Sequence, residues 1–144
     1  MSTARPSIAL DHVGIQVREL APAIDLFGRL FGYAQATEPV VNTRHHVEVV
    51  FLEKPGSTSI KLFHPADGEH KEPPRIHHLA FRVDDLDEAV RYFVSQGARV
   101  LHAPAPGEAF DDEPIAFLHA GGFNVELIST GKRRGRIAPT HGAR

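Results

Sequence analysis

Two segments of the chain alternate apolar residues with polar or small ones in the same phase. The first is DHVGIQVREL (11–20), and the second is HHLAFRVDDL (77–86), which lies at an offset of 66 residues and superposes His12 on His78. Alternation of this kind is typical of a strand with one buried face. After both segments, apolar residues recur at helical spacing at the same offset, as Ala23, Ile24 and Phe27 and as Ala89, Val90 and Phe93. The chain is therefore predicted to be two copies of one module of about 60 residues.

Each copy is predicted to fold as a strand, a helix and three further strands, which gives an α+β protein of two βαβββ modules. In the first copy the helix is predicted at 20–31 and the strands at 9–17, 33–40, 45–53 and 58–64. In the second copy the helix is predicted at 86–96 and the strands at 76–83, 98–103, 113–119 and 123–129. The segments FLEKPGSTSIKLF (51–63) and FLHAGGFNVELI (117–128) also match, so the repeat extends to the last strand of each copy.

The predicted domain boundaries follow from the repeat and from local composition. Residues 1–8 are expected to form an N-terminal extension, residues 9–64 the first module and residues 76–129 the second. The prolines and charges of residues 65–75 indicate a linker. Residues 130–144 contain the basic run GKRRGR and are predicted to be a solvated, disordered tail.

Side chains alternate across a strand, and this places four residues at equivalent inward positions. In the opening strands, His12 and His78 are predicted to face the concave side of the sheet, away from the helices. His77 would then share a face with the core and be a structural histidine. In the closing strands the equivalent inward residues are Lys61 and Glu126, and a carboxylate flanked by apolar neighbours needs a partner. Three of the four inward residues are of types that bind metal ions.

Composition excludes several classes of function. The 16 basic and 18 acidic side chains give a net charge of −2, which provides no reason to expect nucleic acid or a membrane as a partner. No segment approaches the roughly 20 apolar residues of a membrane span, and a cytoplasmic location is expected. The absence of cysteine excludes disulfides, thiolate nucleophiles and Cys-based zinc sites. Five histidines lack ligand spacing and are expected on the surface or in loops: His64, His70, His102, His119 and His141.

The duplicated module resembles the vicinal oxygen chelate superfamily, and within it the methylmalonyl-CoA epimerases and small glyoxalase-like proteins. The resemblance rests on DHVGIQV and HHLAFRVDDLDEA at the start of the two copies and on VELIS at the end of the second, and it covers about residues 9–129. It implies one strongly curved mixed sheet around a cup, and a homodimer. It also implies a divalent metal, which would be Mn, Co, Zn, Ni or Fe(II), bound by His12, His78 and Glu126 next to a small oxygenated substrate.

Lys61 departs from the pattern of this superfamily, whose members have a carboxylate or an amide as a ligand at that position. A charged ammonium has no lone pair and cannot bind a metal. One interpretation is that a metal is bound by the remaining three ligands. The other is that Lys61 replaces the metal, pairs with Glu126 and leaves a metal-free pocket.

The epimerases of this superfamily have a further acid before the third strand of the first module. Here the equivalent segment is TRHHVEV (43–49), which places Arg44 or His45 near the expected acid. If the valines of this segment face the core, Arg44, His46 and Glu48 face the cup. His46 or Glu48 is therefore predicted to be a general base.

The resemblance predicts a metal-assisted lyase or isomerase that works through an enolate-like intermediate. Because the second acid of the epimerases is missing, a relative that uses the same cup on another substrate is expected rather than an epimerase proper. Glu126 would serve both as a metal ligand and as a proton acceptor, with Lys61 next to it. Two alternatives remain open. The first is an Fe(II) dioxygenase, because two histidines and one glutamate are the ligand set of that class. The second is a metal-free binding or resistance protein that holds a small molecule in the cup.

Overall fold

The computed structural model of the protein describes residues 4–137. The elements of the first copy are β1 (Ile8–Gln16), α1 (Leu20–Phe31), β2 (Ala34–Gln35), β3 (Val40–Asn42), β4 (Val47–Glu53) and β5 (Ser59–Pro65). The elements of the second copy are β6 (Arg75–Val83), α2 (Leu86–Ser95), β7 (Arg99–Gly107), β8 (Glu113–Ala120) and β9 (Phe123–Ile128). A 3-10 turn, Glu108–Phe110, lies between β7 and β8.

Local sequence signals explain where the two helices begin and end. The carboxylate of Asp85 accepts a hydrogen bond from the backbone N–H of Glu88 at 2.9 Å and so caps the start of α2. Helix α1 ends at Gly32, whose φ of 77° is a left-handed conformation that glycine adopts without strain. The strand predicted at 33–40 is instead two short strands, β2 and β3. Pro39 lies between them and has no N–H to donate to a neighbouring strand.

The strands form one mixed sheet in the order β2, β4, β5, β1, β6, β9, β8 and β7, with β3 also paired to β4. Strands β1 and β6 are antiparallel neighbours at the centre. Each has a parallel partner on its other side, which is β5 for β1 and β9 for β6. The order of strands is therefore symmetric about the β1–β6 pair, and it is the mixed, curved α+β sheet that the sequence predicts.

Both helices pack on the convex face of the sheet, and the concave face has an apolar lining of its own. The cluster under α1 contains Val17, Leu20, Val50, Leu52 and Leu62, and the cluster under α2 contains Val83, Leu86, Ala89, Ala116, Leu118, Val125 and Leu127. The lining joins the two halves of the sheet across the concavity and consists of Ala36, Val49, Phe51, Phe63, Ala109, Phe110, Ile115 and Ile128. Because distant strands meet in this third cluster, the sheet encloses a cup.

The segment that follows β9 is packed against the first copy. The N–H of Ile137 donates to the carbonyl of Ala36 at 2.9 Å, and the N–H of Glu38 donates to the carbonyl of Gly135 at 2.7 Å. Arg133 in the same segment is buried. The prediction of a solvated tail over 130–144 is therefore wrong for residues 130–137, while residues 138–144 lie outside the described part. No helix within residues 4–137 is long and apolar enough to cross a membrane.

Candidate active site

The four residues predicted to face inward meet at the floor of the cup, where three of them converge on one carboxylate oxygen of the fourth. Oε1 of Glu126 lies 3.0 Å from Nε2 of His12, 3.1 Å from Nε2 of His78 and 3.2 Å from Nζ of Lys61. His12 and Glu126 are fully buried, and His78 and Lys61 are nearly so. The predicted inward direction of these four side chains is confirmed, whereas their roles as ligands or catalytic groups remain predictions.

Strand register explains how these side chains meet. Gly14 of β1 lies opposite both His78 of β6 and Lys61 of β5. Ala80 of β6 lies opposite both His12 and Glu126. A Cβ atom on Gly14 would lie 2.1 Å from Cε1 of His78, so the imidazole occupies the space that a side chain at position 14 would fill. Glycine is therefore required at this position for the ring to lie where it does.

A β-bulge precedes each of the two site histidines. The pairing of β1 with β6 skips Asp11 between Leu10 and His12, and it skips His77 between Ile76 and His78. A bulge redirects a side chain from the face that regular alternation would give it. The prediction that His77 faces the core is wrong for this reason, because its ring lines the cup beside His78.

Each bulged residue contacts Nδ1 of the histidine that follows it. Oδ2 of Asp11 lies 2.7 Å from Nδ1 of His12, and Nδ1 of His77 lies 2.9 Å from Nδ1 of His78. A partner at Nδ1 fixes the orientation of an imidazole and determines whether its Nε2 carries a hydrogen or a lone pair. Both Nε2 atoms are thus held toward Glu126.

Asp11 connects the site to the C-terminal segment. Arg133 Nη2 donates to Oδ2 of Asp11 at 2.5 Å, and the half-exposed Arg82 donates to Oδ1. Burial would raise the pKa of Asp11, but the hydrogen bond with His12 and the charge of Arg133 hold it far below its usual value. The guanidinium of Arg133 also lies over the ring of Phe51, 4.3 Å from its centroid. Neither Asp11 nor Arg133 was identified as a site residue from the sequence.

The charge states at the floor of the cup follow from these contacts. Burial would raise the pKa of Glu126, yet the Lys61 charge and the contacts with His12 and His78 lower it well below its usual value, so this carboxylate stays ionised. Burial and the Lys61 charge lower the pKa of His78 to about 4, and burial with the Arg75 charge does the same for His77. Both imidazoles are therefore neutral at pH 7, and one proton bridges their two Nδ1 atoms.

The spacing of His12, His78 and Glu126 fits a divalent metal. Their ligand atoms lie within 4.8 Å of one another. The separations of 3.0 and 3.1 Å from Oε1 to the two nitrogens match neighbouring ligands at about 2.1 Å from a common ion. Nε2 of His78 makes no hydrogen bond to another group among residues 4–137, although it lies 3.1 Å from Oε1 of Glu126. The charge of Lys61, 3.2 Å from the same oxygen, does not fit a dication.

The cup opens above this cluster as a cavity of about 310 Å³. His45 and His102 lie on its wall with their ring centroids 4.8 Å apart, and His45 also contacts Phe117 at 5.5 Å. Burial, followed by the proximity of His102 and Lys61, lowers the pKa of His45. His102 is exposed, in agreement with the expectation of a surface residue, and it also lines the cavity. The full lining is Gln16, Asn42, His45, Val47, Val49, Lys61, Phe63, His77, His78, Leu101, His102, Ala109, Phe117 and Asn124.

The prediction that His46 and Glu48 face the cup is wrong. His46 is exposed at the end of the turn 43–46, with a φ of 55°. Glu48 lies on the convex face beside α1, where its carboxylate contacts Nε2 of His64 at 2.9 Å. The reason is that β4 is apolar on both faces, with Val47, Val49 and Phe51 toward the cup and Val50 and Leu52 toward the helix. Alternation alone does not show which face of such a strand points toward the cup.

Comparison with known proteins identifies the family. The family profile described as Glyoxalase/Bleomycin resistance protein/Dioxygenase superfamily matches residues 11–117. A mitochondrial methylmalonyl-CoA epimerase of Dictyostelium discoideum is 32% identical over 127 residues, covering 83% of this chain and 75% of the relative. An ethylmalonyl-CoA/methylmalonyl-CoA epimerase of Cereibacter sphaeroides is 33% identical over 127 residues, covering 83% of this chain and 93% of the relative. The crystal structure of methylmalonyl-CoA epimerase from Mycobacterium tuberculosis is 31% identical, with a TM-score of 0.73 over 100% of this chain and 97% of that one. The chain belongs to the glyoxalase/bleomycin resistance protein/dioxygenase superfamily.

Proposed function

We propose that the protein is an epimerase that removes and returns the proton on the carbon next to the carbonyl of a malonyl-type CoA thioester. The observation that carries this proposal is the convergence of Lys61, His12 and His78 on Glu126 at the floor of an open cavity. The methylmalonyl-CoA epimerases that share about a third of its sequence support the choice of substrate.

The floor of the cup suits the charge that develops in such a reaction. Removal of a proton next to a thioester carbonyl leaves negative charge on the carbonyl oxygen. A cation placed where that charge develops lowers the barrier, most of all in a site from which water is excluded. Lys61 lines the cavity, so an N–H that is not directed to Glu126 is available to this oxygen.

His45 is the residue we propose as the proton acceptor. Its lowered pKa leaves the imidazole neutral at pH 7, and its ring lies on the cavity wall. Glu126 is a poor acceptor because its pKa is held well below the usual value. The proton therefore passes from the substrate carbon to His45 while the electron pair moves to the carbonyl oxygen. A water molecule in the open cavity then gives a proton to the opposite face of the carbon as the electron pair returns, and the proton on His45 passes to the hydroxide that remains, so the epimer forms and His45 is neutral again.

The other functions predicted from the sequence use the same residues. A divalent metal, which would be Mn, Co, Zn, Ni or Fe(II), would be bound by His12, His78 and Glu126, and the charge of Lys61 would then have to be lost. An Fe(II) dioxygenase has the same requirement. A metal-free binding protein is favoured by the Lys61–Glu126 ion pair, which offers an anion anchor inside the cavity. The cytoplasmic location and the homodimer remain predictions.

Deuterium exchange tests the proposed function. Methylmalonyl-CoA is incubated with the protein in D₂O, and loss of the proton next to the carbonyl is followed by NMR against a sample without protein. We expect rapid exchange with the wild type and a rate about 10²-fold or more lower in His45→Gln. The control is His70→Gln, which removes a histidine of the linker. A wild-type rate equal to that of the sample without protein would refute the proposal.

A further inference from the structure

We propose that the ammonium of Lys61 is the resident cation of this centre and that it excludes a divalent metal. The role of the ammonium in stabilising an enolate rests on the proposed function. The exclusion of a metal rests on geometry and charge alone, and it distinguishes this chain from the metal-binding pattern that the superfamily implies.

The ammonium contacts the same carboxylate oxygen that a metal bound by His12, His78 and Glu126 would need. Nζ of Lys61 lies 3.2 Å from Oε1 of Glu126, nearly as close as the imidazole nitrogens at 3.0 and 3.1 Å. An ion about 2.1 Å from both nitrogens and from Oε1 would lie within the same group of atoms. The ammonium has no lone pair to offer such an ion, and its hydrogens already satisfy the carboxylate.

The buried charges balance in pairs without a further ion. Lys61 pairs with Glu126, and Arg133 pairs with Asp11, while His12 bridges the two carboxylates through its two ring nitrogens. Arg82, which also contacts Asp11, is half exposed, so solvent screens its charge. A dication added to this arrangement would be an uncompensated buried charge.

Three aromatic rings surround the ammonium and suit a monovalent cation. Nζ of Lys61 lies 5.9, 5.7 and 5.8 Å from the ring centroids of Phe63, Phe110 and Phe117, respectively. Ring faces attract an ammonium at such distances. They offer no oxygen or nitrogen atoms with which a divalent metal could complete its coordination.

Metal binding by charge variants tests this inference. Wild type, Lys61→Gln and the control Lys54→Gln, which changes an exposed lysine, are each dialysed against Mn²⁺ or Co²⁺ and then analysed for bound metal. Their melting temperatures are measured with EDTA and with excess Mn²⁺. We expect wild type and Lys54→Gln to bind no metal and to melt at the same temperature in both buffers. Lys61→Gln should bind about one equivalent, because its amide oxygen completes a four-ligand set, and its melting temperature should rise with Mn²⁺.

Two outcomes would overturn the inference. The first is a wild type that retains about one equivalent of metal and loses thermal stability in EDTA. This measurement does not depend on whether Lys61→Gln folds. The second is a folded Lys61→Gln that binds no metal, because the three donors would then not form a metal site even without the ammonium.

The exchange assay in EDTA separates this inference from the proposed function. A metal-free wild type that exchanges the substrate proton in EDTA agrees with both. A metal-free wild type that exchanges nothing would refute the epimerase and leave the exclusion of metal intact. Exchange that requires added metal would refute the role of Lys61 and leave the epimerase intact.

Discussion

Arg133 provides the most direct test of how the C-terminal segment supports the site. The change Arg133→Met removes the guanidinium and retains an apolar side chain of similar length over Phe51. It breaks the 2.5 Å hydrogen bond to Asp11 and the stacking at 4.3 Å on Phe51. The side chain of Arg133 is 4% exposed, so solvent cannot replace these contacts.

The expected loss in the free energy of unfolding of Arg133→Met follows from the contacts that are lost and those that remain. A hydrogen bond between charged groups contributes about 1.5–3 kcal/mol, and a desolvated cation over a ring about 2 kcal/mol, of which the methionine sulfur over the same ring would retain about 1 kcal/mol. Asp11 keeps Arg82 and His12 as partners, so the larger cost of an isolated buried charge is not reached. We therefore expect a loss of about 3 kcal/mol in the free energy of unfolding. For a chain of this length this corresponds to a melting temperature lower by about 10 °C.

Urea unfolding followed by circular dichroism measures this loss by linear extrapolation. The control is Lys132→Met, which removes an adjacent exposed charge and should change the free energy of unfolding by less than about 0.5 kcal/mol. Combining Arg133→Met with Asp11→Asn should cost less than the sum of the single changes, by about 1 kcal/mol or more. If Arg133→Met unfolded at the same urea concentration as Lys132→Met, the C-terminal segment would not be anchored through Asp11.

Two further predictions concern the imidazoles. Gly14→Ala places a Cβ 2.1 Å from Cε1 of His78, so the ring must move, and we expect a loss of about 1–3 kcal/mol in urea unfolding together with slower deuterium exchange. If Gly14→Ala had the stability and the exchange rate of the wild type, the ring of His78 would not lie over Gly14. The pKa of His78 is lowered from 6.5 to about 4, so the unfolded chain binds more protons than the folded one between these values. Stability should therefore fall as the pH drops from 6.5 toward 4, by up to about 3 kcal/mol from His78, and His78→Gln should flatten the pH dependence of urea unfolding. A wild-type stability that is independent of pH over this range would contradict the lowered pKa.

The sequence predicted the fold and the inward cluster because the duplication supplies a second copy against which to check each strand. His12 and His78 occupy the polar face of strands whose other face is apolar, so their direction is determined. The same holds for Lys61 and Glu126. Strand β4 has two apolar faces, so its pattern does not determine which face points to the cup, and the pattern points to Glu48 in place of His45.

The β-bulges and the anchoring of the C-terminal segment through Arg133 could not be predicted in the same way. A bulge is a property of how two strands pair, and one strand's alternation does not reveal it. One signal was available, because Asp11 and His77 align at the same offset of 66 as the histidines that follow them. Arg133 lies in a basic run whose composition is typical of a solvated tail, and only its burial against Phe51 reveals its role.

The symmetry of the sheet has a consequence for how such a centre could arise. A homodimer of one single-module ancestor would place the same residue at both equivalent positions, giving two lysines or two glutamates at the floor. Neither arrangement is neutral, and like charges this close repel. Fusion of the two copies into one gene removes that restriction, because each half can then change independently. The opposite charges of Lys61 and Glu126, which lie 3.2 Å apart across the symmetry axis, are a pairing that only a fused chain or a heterodimer can encode.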